Sequence, residues 1–121
     1  MPLRFRPRSA PKPDVAVVPG GPYDYQTTPA TALLVVEVSD ATLSYDRGRK
    51  ASLYARAGIA DYWIVDRRRR QLEIRRNPVQ DSSQRYGFRY ADVQTLAPTD
   101  HATPLAAPQA RIAVADLLPR H

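Results

Sequence analysis

The chain has 121 residues, no cysteine, a formal net charge of +6 and a pI near 10.1. That length suits one domain with one modest core, and the absence of cysteine excludes disulfides and thiolate metal sites. The charge favours a polyanionic partner, nucleic acid first, while a basic surface by itself argues only solubility and steering.

No apolar run near the middle of the chain approaches a membrane span; Ala32 to Val36 is the longest around Glu37. The opening Met1-Pro2-Leu3-Arg4-Phe5-Arg6 lacks the apolar segment of a secretory signal. A cytoplasmic protein without membrane contact is therefore the expectation. Sixteen of the 18 basic residues are arginine, leaving only Lys12 and Lys50, and ten of the 12 acids are aspartate, leaving only Glu37 and Glu73. Against that bias a lysine is noticeable: arginine is a fixed, permanently charged fork, whereas lysine is a compact charge whose pKa can be moved.

Seven of the 12 prolines fall in residues 2 to 29 and four from Pro98 onward, so regular structure is expected between residues 30 and 97. Residues 1–12, with Arg4, Arg6, Arg8 and Lys12 and no acid, read as a basic flexible arm, and residues 13–121 as a single domain with a proline-rich tail from about 98. Pro13 to Val18 reads as a short strand closed by Pro19-Gly20-Gly21-Pro22, and Tyr23 to Thr31 as a loop. Leu33 to Ser39 is a central strand: Leu33, Val35, Glu37 and Ser39 share one face, and Leu34, Val36 and Val38 the other. Ser39-Asp40-Ala41-Thr42 supplies turn and cap chemistry. Tyr45 to Ala57 then follows a helical period, with Asp46, Lys50, Leu53, Tyr54 and Ala57 on one stripe and Gly58 as its terminator.

Asp61 to Asp66 reads as a second strong strand. Arg67, Arg68, Arg69 and Arg70 form the tip of a hairpin whose return strand is Gln71 to Arg76, with Leu72 and Ile74 inward and Glu73 and Arg75 outward. Four consecutive arginines usually mark a solvated turn, and they also suit phosphate contacts, which makes them candidate nucleic-acid ligands. Arg85 to Tyr90 and Asp92 to Leu96 read as a hairpin-like pair, and Arg111 to Leu118 as an edge strand or docking segment.

Two residues break their local rules. Glu37 lies in an apolar β-branched run, and Lys50 lies on the packed stripe of the helix. A buried carboxylate or ammonium is costly unless it meets a partner or a metal. With Asp14 they form a candidate constellation: two carboxylates from neighbouring strands for a hard cation such as Mg²⁺, and an ammonium to orient water and stabilise developing charge. Other chemistries find less support, because His101 and His121 lie in the proline-rich tail and no glycine-rich phosphate loop carries a lysine. The residues alone leave a snorkelling Lys50, paired to Asp46 four residues earlier, equally open.

The order Pro13-Asp14-Val15, Leu34-Val35-Val36-Glu37-Val38-Ser39, Tyr45-Asp46-Arg47-Gly48-Arg49-Lys50, Leu53-Tyr54-Ala55-Arg56-Ala57-Gly58-Ile59 and Tyr62-Trp63-Ile64-Val65-Asp66 resembles the Uma2 family. That family is a restriction-endonuclease-like group within the PD-(D/E)XK nuclease superfamily. The resemblance implies an α/β fold: a restriction-endonuclease-like mixed β-sheet with at least one packed helix at about residues 45–57. Asp14 would match the aspartate of the PD element and Glu37 the acid of the (D/E)XK element. Ser39 stands where the superfamily has its lysine, so Lys50 would be that lysine displaced onto the helix. The implied site binds Mg²⁺ or Mn²⁺ through Asp14 and Glu37 and hydrolyses DNA, with Asp46 and Tyr54 in support. The usual N-terminal helix and hairpin are expected to be missing, which would leave a sheet edge for a partner, such as a second copy of the chain, to cover. Two functions stay open: a metal-dependent DNA endonuclease, intact or as a truncated remnant, and a non-catalytic basic module that binds nucleic acid or protein.

Overall fold

The computed structural model describes residues 15–17, 33–39 and 45–118. The expected basic arm, Lys12, Asp14, the loop over 23–31 and the cap segment over 40–42 lie outside the described residues. Strand β1 is Val15–Val17 and β2 is Leu34–Ser39. A π-helical turn, Asp46–Lys50, runs directly into helix α1, Ala51–Arg56. Strands β3, Asp61–Asp66, β4, Gln71–Gln80, and β5, Phe88–Leu96, follow. The chain then forms a two-stranded ribbon of β6, His101–Ala102, and β7, Ile112–Ala113, and a short helix α2, Val114–Leu117.

The main sheet has the order β1-β2-β3-β4-β5 and is mixed: β2 and β3 run parallel, and the other neighbours run antiparallel. A parallel pair needs a crossover, and the π-turn with α1 supplies it. Alternation sends Val35 of β2 and Tyr62 and Ile64 of β3 to the helix side, where they pack with Ala51, Tyr54, Ala55, Ile59 and Tyr90. Leu34, Val36, Trp63 and Val65 go to the opposite face, together with Leu72, Ile74 and Leu96. Ala102, Val114 and Leu118 cover that second face, so the segment after Pro98 is part of the packed domain. Every residue of β3 is buried, which accounts for its continuous apolar reading.

Several local expectations are corrected. Arg85–Tyr90 and Asp92–Leu96 are not a hairpin pair; β5 is one strand from Phe88 to Leu96, paired along its length with β4. Strand β4 continues through Pro78 to Gln80 past Asn77, which takes a φ of 64° that asparagine tolerates. Glu73 does not face solvent: both sides of β4 are covered at that point, and Glu73 is 2% exposed on the helix side. The packed stripe of the helix is also rotated from the expected one. Ala51, Ser52, Tyr54 and Ala55 are buried, whereas Leu53 and Ala57 are only half-buried. A π-turn carries more residues than an α-turn and so shifts the phase of everything after it.

Helix α1 ends in a Schellman motif: the Ile59 N–H donates to the Tyr54 carbonyl (3.1 Å) and the Gly58 N–H to the Ala55 carbonyl (3.0 Å). Gly58 takes a φ of 80° there. Ile59 packs in the same cluster as Tyr54, so the terminator also fixes the entry into β3. Gly58→Ala is expected to lower unfolding free energy by about 1 kcal/mol in a urea titration, because alanine must be forced into the left-handed region.

Candidate active site

Glu37 sits in β2 between Val36 and Val38, and alternation aims it at the helix layer. It is 1% exposed. Burying that carboxylate without partners would cost several kcal/mol, so its neighbours decide whether β2 can carry it. Two come from the helix. The Tyr54 hydroxyl donates to Glu37 Oε2 at 2.7 Å, and Lys50 Nζ lies 3.2 Å from the same oxygen. Lys50 Nζ is also 3.3 Å from Asp46 Oδ1, one turn back and equally buried. One ammonium therefore bridges two buried carboxylates.

Residue spacing allows this. Asp46 and Lys50 are four residues apart on the π-turn and share a face. The Tyr62 hydroxyl donates to the Asp46 carbonyl at 3.0 Å and anchors the turn to β3. Tyr54, Tyr62 and Tyr90 form an aromatic row, with ring centroids 5.0 and 5.9 Å apart, and the Tyr90 hydroxyl donates to the Ile59 carbonyl. Each hydroxyl in the row has an acceptor, as buried phenols require.

Electrostatics agree with the geometry. Burial alone would lower the Lys50 pKa, but the charges of Glu37 and Asp46 outweigh it and hold the group above its ordinary 10.5. Burial, reinforced by Glu37 or Asp46, pushes Tyr54 and Tyr62 far above 10.0, and burial does the same for Tyr90. None of the three phenols is thus available as a base at neutral pH.

The structure brings Glu37 and Lys50 of the expected constellation together, while Asp14 lies outside the described residues. Its neighbour Val15 pairs with Val36, the residue before Glu37. Among the described residues no three acidic or histidine side chains converge on a common point. Glu37 and Asp46 share one cation at hydrogen-bond distance, the Lys50 ammonium.

The arginines of the hairpin tip are not part of this cluster. They occupy the four-residue turn between β3 and β4, where Arg67, Arg68 and Arg69 are exposed and Arg70 is half-buried with a φ of 52°. Arg69 is tied to Asp66 by its backbone N–H (3.1 Å) and its guanidinium (3.3 Å), and the Arg67 N–H donates to the Ser39 carbonyl. The solvated-turn reading thus describes Arg67, Arg68 and Arg69, and Arg70 departs from it by its partial burial. Asp61, though buried, belongs to the framework: it accepts from Trp63 Nε1, Arg76 Nε and the Leu105 N–H.

Asp46 is the residue the sequence undervalues. Its spacing to Lys50 is visible, but its burial beside Glu37 depends on the sheet. Glu73 escapes altogether. It accepts from Arg47 and Arg75 on the same face, two strands from Glu37 with Ile64 between.

A mixed sheet whose parallel pair is joined by a packed crossover helix is a restriction-endonuclease-like α/β fold. The family model for Uma2, described as "Putative restriction endonuclease", matches residues 1–115, and the chain belongs to this family. No curated protein matches the chain closely enough to count as a relative. Among the described residues no helix is long and apolar enough to cross a membrane.

Lys50→Met leaves Glu37 and Asp46 buried without their cation and is expected to cost about 3–5 kcal/mol at pH 7, read by urea denaturation. The raised folded-state pKa of Lys50 means that its stabilisation is complete below 10.5 and is lost as pH climbs through the folded value. The three buried tyrosines act in the same direction: their folded pKa values exceed 10.0, so stability holds below pH 10 and falls above it as the unfolded phenols ionise. In an alkaline titration, part of the tyrosinate absorbance should therefore appear only with the cooperative loss of far-ultraviolet dichroism. Full ionisation with the dichroism intact would contradict the burial of the row.

Proposed function

We propose that the protein is a metal-dependent DNA endonuclease, in which Asp14 and Glu37 hold Mg²⁺ or Mn²⁺ and Lys50 serves the reacting phosphate. The observation that carries this reading is the position of the Lys50 ammonium, 3.2 Å and 3.3 Å from two buried carboxylates rather than in bulk solvent. A carboxylate at this depth in a central strand is costly for folding alone, and such conflicts concentrate at functional sites. When bound, a hard divalent cation supplies positive charge to the phosphodiester and acidifies the attacking water. Lys50, held protonated at neutral pH, orients that water or stabilises charge on the transferring phosphoryl oxygens. Tyr54 fixes the Glu37 carboxylate through its 2.7 Å hydrogen bond, and Asp46 holds Lys50 from the other side. The net charge of +6 draws the polyanion to the surface. Arg67, Arg68, Arg69 and Arg70 add phosphate contacts at the end of β2 where Ser39 pairs with Asp66.

A second reading is a nucleic-acid-binding module that cleaves nothing. It is favoured by the lack of a third converging acid among the described residues.

Cleavage of supercoiled plasmid separates the two. The nuclease reading predicts nicking with Mg²⁺ or Mn²⁺, none in EDTA, and at least a hundredfold loss in Glu37→Gln and Lys50→Ala, on the order of what a charge-stabilising group contributes. A folded sample that leaves plasmid intact with either metal favours the binding module. Cleavage that survives Glu37→Gln would remove Glu37 from the site.

A further inference from the structure

A cleft of about 200 Å³ opens on the other flank of the π-turn, between the helix and strands β4 and β5. Its lining includes Arg47, Arg75 and Arg89, together with Gly48, Ser52 and Gln84, and among the described residues no carboxylate. Its basic side chains are held in place from behind. Glu73, buried beneath them, accepts from both Arg47 and Arg75, and Asp81 holds Arg89 at 3.0 Å. Each guanidinium has five N–H donors, and one carboxylate contact uses only part of that set. Arg75 Nε in particular is buried and has no acceptor among the described residues. Three guanidiniums against Glu73 and Asp81 leave one net positive charge.

The wall of the cleft is fixed. Ser52 donates to the Phe88 carbonyl (2.7 Å) and accepts from the Tyr86 N–H (3.0 Å), so the loop before β5 is pinned to the helix. Gly48 points the same way. A glycine inside a helix costs about 1 kcal/mol relative to alanine. Neither a positive φ nor a close neighbour requires one here, since a Cβ at this position would meet nothing within 4 Å. What it borders is the cleft.

We propose that this cleft binds one phosphodiester group of a nucleic-acid strand through Arg47, Arg75 and Arg89, without a metal. The volume lies below the range for whole small-molecule ligands, roughly 300–1,000 Å³, and suits a single phosphate group. Planar guanidinium forks match phosphate oxygens, and the single surplus charge matches a phosphodiester better than a doubly charged free phosphate. Glu37 and Glu73 lie in one cross-strand row with Ile64 between them, about 10 Å apart by strand spacing, which sets the cleft beside the Glu37 cluster on the same face of the sheet. The inference rests on the nuclease reading only for the identity of the nucleic-acid strand.

The test is fluorescence anisotropy of labelled single-stranded and duplex oligonucleotides in EDTA, where neither metal binding nor cleavage intervenes. Arg89→Gln removes a half-exposed guanidinium, and Gly48→Leu adds a side chain at the border of the cleft while leaving Glu73 in place. Thermal melts show whether each variant is folded. Both should weaken oligonucleotide binding three- to tenfold, and Arg89→Gln should reduce the slope of log K against log salt by about 1. A parallel titration with inorganic phosphate alone, followed through the Ser52 and Tyr86 amide signals, separates the sources of the anion. Phosphate binding that the variants abolish, with oligonucleotide binding unchanged, would overturn the nucleic-acid ligand in favour of a free phosphate. Variants that match the wild type in both titrations overturn the cleft itself. Plasmid cleavage, measured separately with Mg²⁺ or Mn²⁺, stands or falls on its own, because it reads Glu37 and not this pocket.

Discussion

The structure depends on how one buried carboxylate is neutralised. Glu37 occupies a position in β2 that a valine would fill without difficulty, and its charge is tolerated because the helix brings Lys50 and Tyr54 to the same oxygen. The arrangement acts in both directions. The helix stabilises the glutamate, and the glutamate fixes the register of the helix over the sheet. Replacing such a network with apolar side chains of similar volume is often neutral or stabilising, so stability gives little reason to keep it. Under the proposed nuclease reading, chemistry gives a better one: the buried acid and its lysine are the groups that reading requires.

The π-turn links this site to the rest of the domain. It places Asp46 and Lys50 on the sheet side and Arg47 and Gly48 toward the cleft beyond. A regular α-helix would carry the same residues at a different phase. Such wide turns recur at functional positions because they re-aim side chains at the cost of a regular hydrogen-bond ladder. The aromatic row of Tyr54, Tyr62 and Tyr90 runs from Glu37 to the cleft, which Tyr90 lines, with each phenol tied to a group that matters for position: a carboxylate, the carbonyl of Asp46 and the carbonyl of Ile59.

Much of this is legible in the sequence. Strands β2 and β3 announce themselves by β-branched and aromatic density, and the helix by its period and its terminal Gly58. Glu37 and Lys50 are visible because each contradicts its surroundings, and a contradiction is a local signal. Glu73 is not, because alternation in β4 predicts a solvent face wherever no helix covers it, and the covering helix lies about 20 residues earlier. Asp46 looks like a partner for Lys50 and nothing more. The cleft is invisible: its arginines are spread from 47 to 89 in a chain with 16 arginines, so none stands out. The run from Arg67 to Arg70 draws the eye instead, although it forms the turn between two strands. The segment after Pro98 reads as a tail, since its prolines obscure the short ribbon and the apolar Val114 and Leu118 that seal the second face.

The central claim is that Glu37 belongs to a divalent-cation site, and the most direct measurement is an anomalous difference map from crystals soaked in Mn²⁺. The account predicts a peak within coordination distance of Glu37, about 2.2 Å from a carboxylate oxygen, with the Lys50 ammonium moved from its present contact. A map with no peak at Glu37, and Lys50 still bridging Glu37 and Asp46, would contradict it.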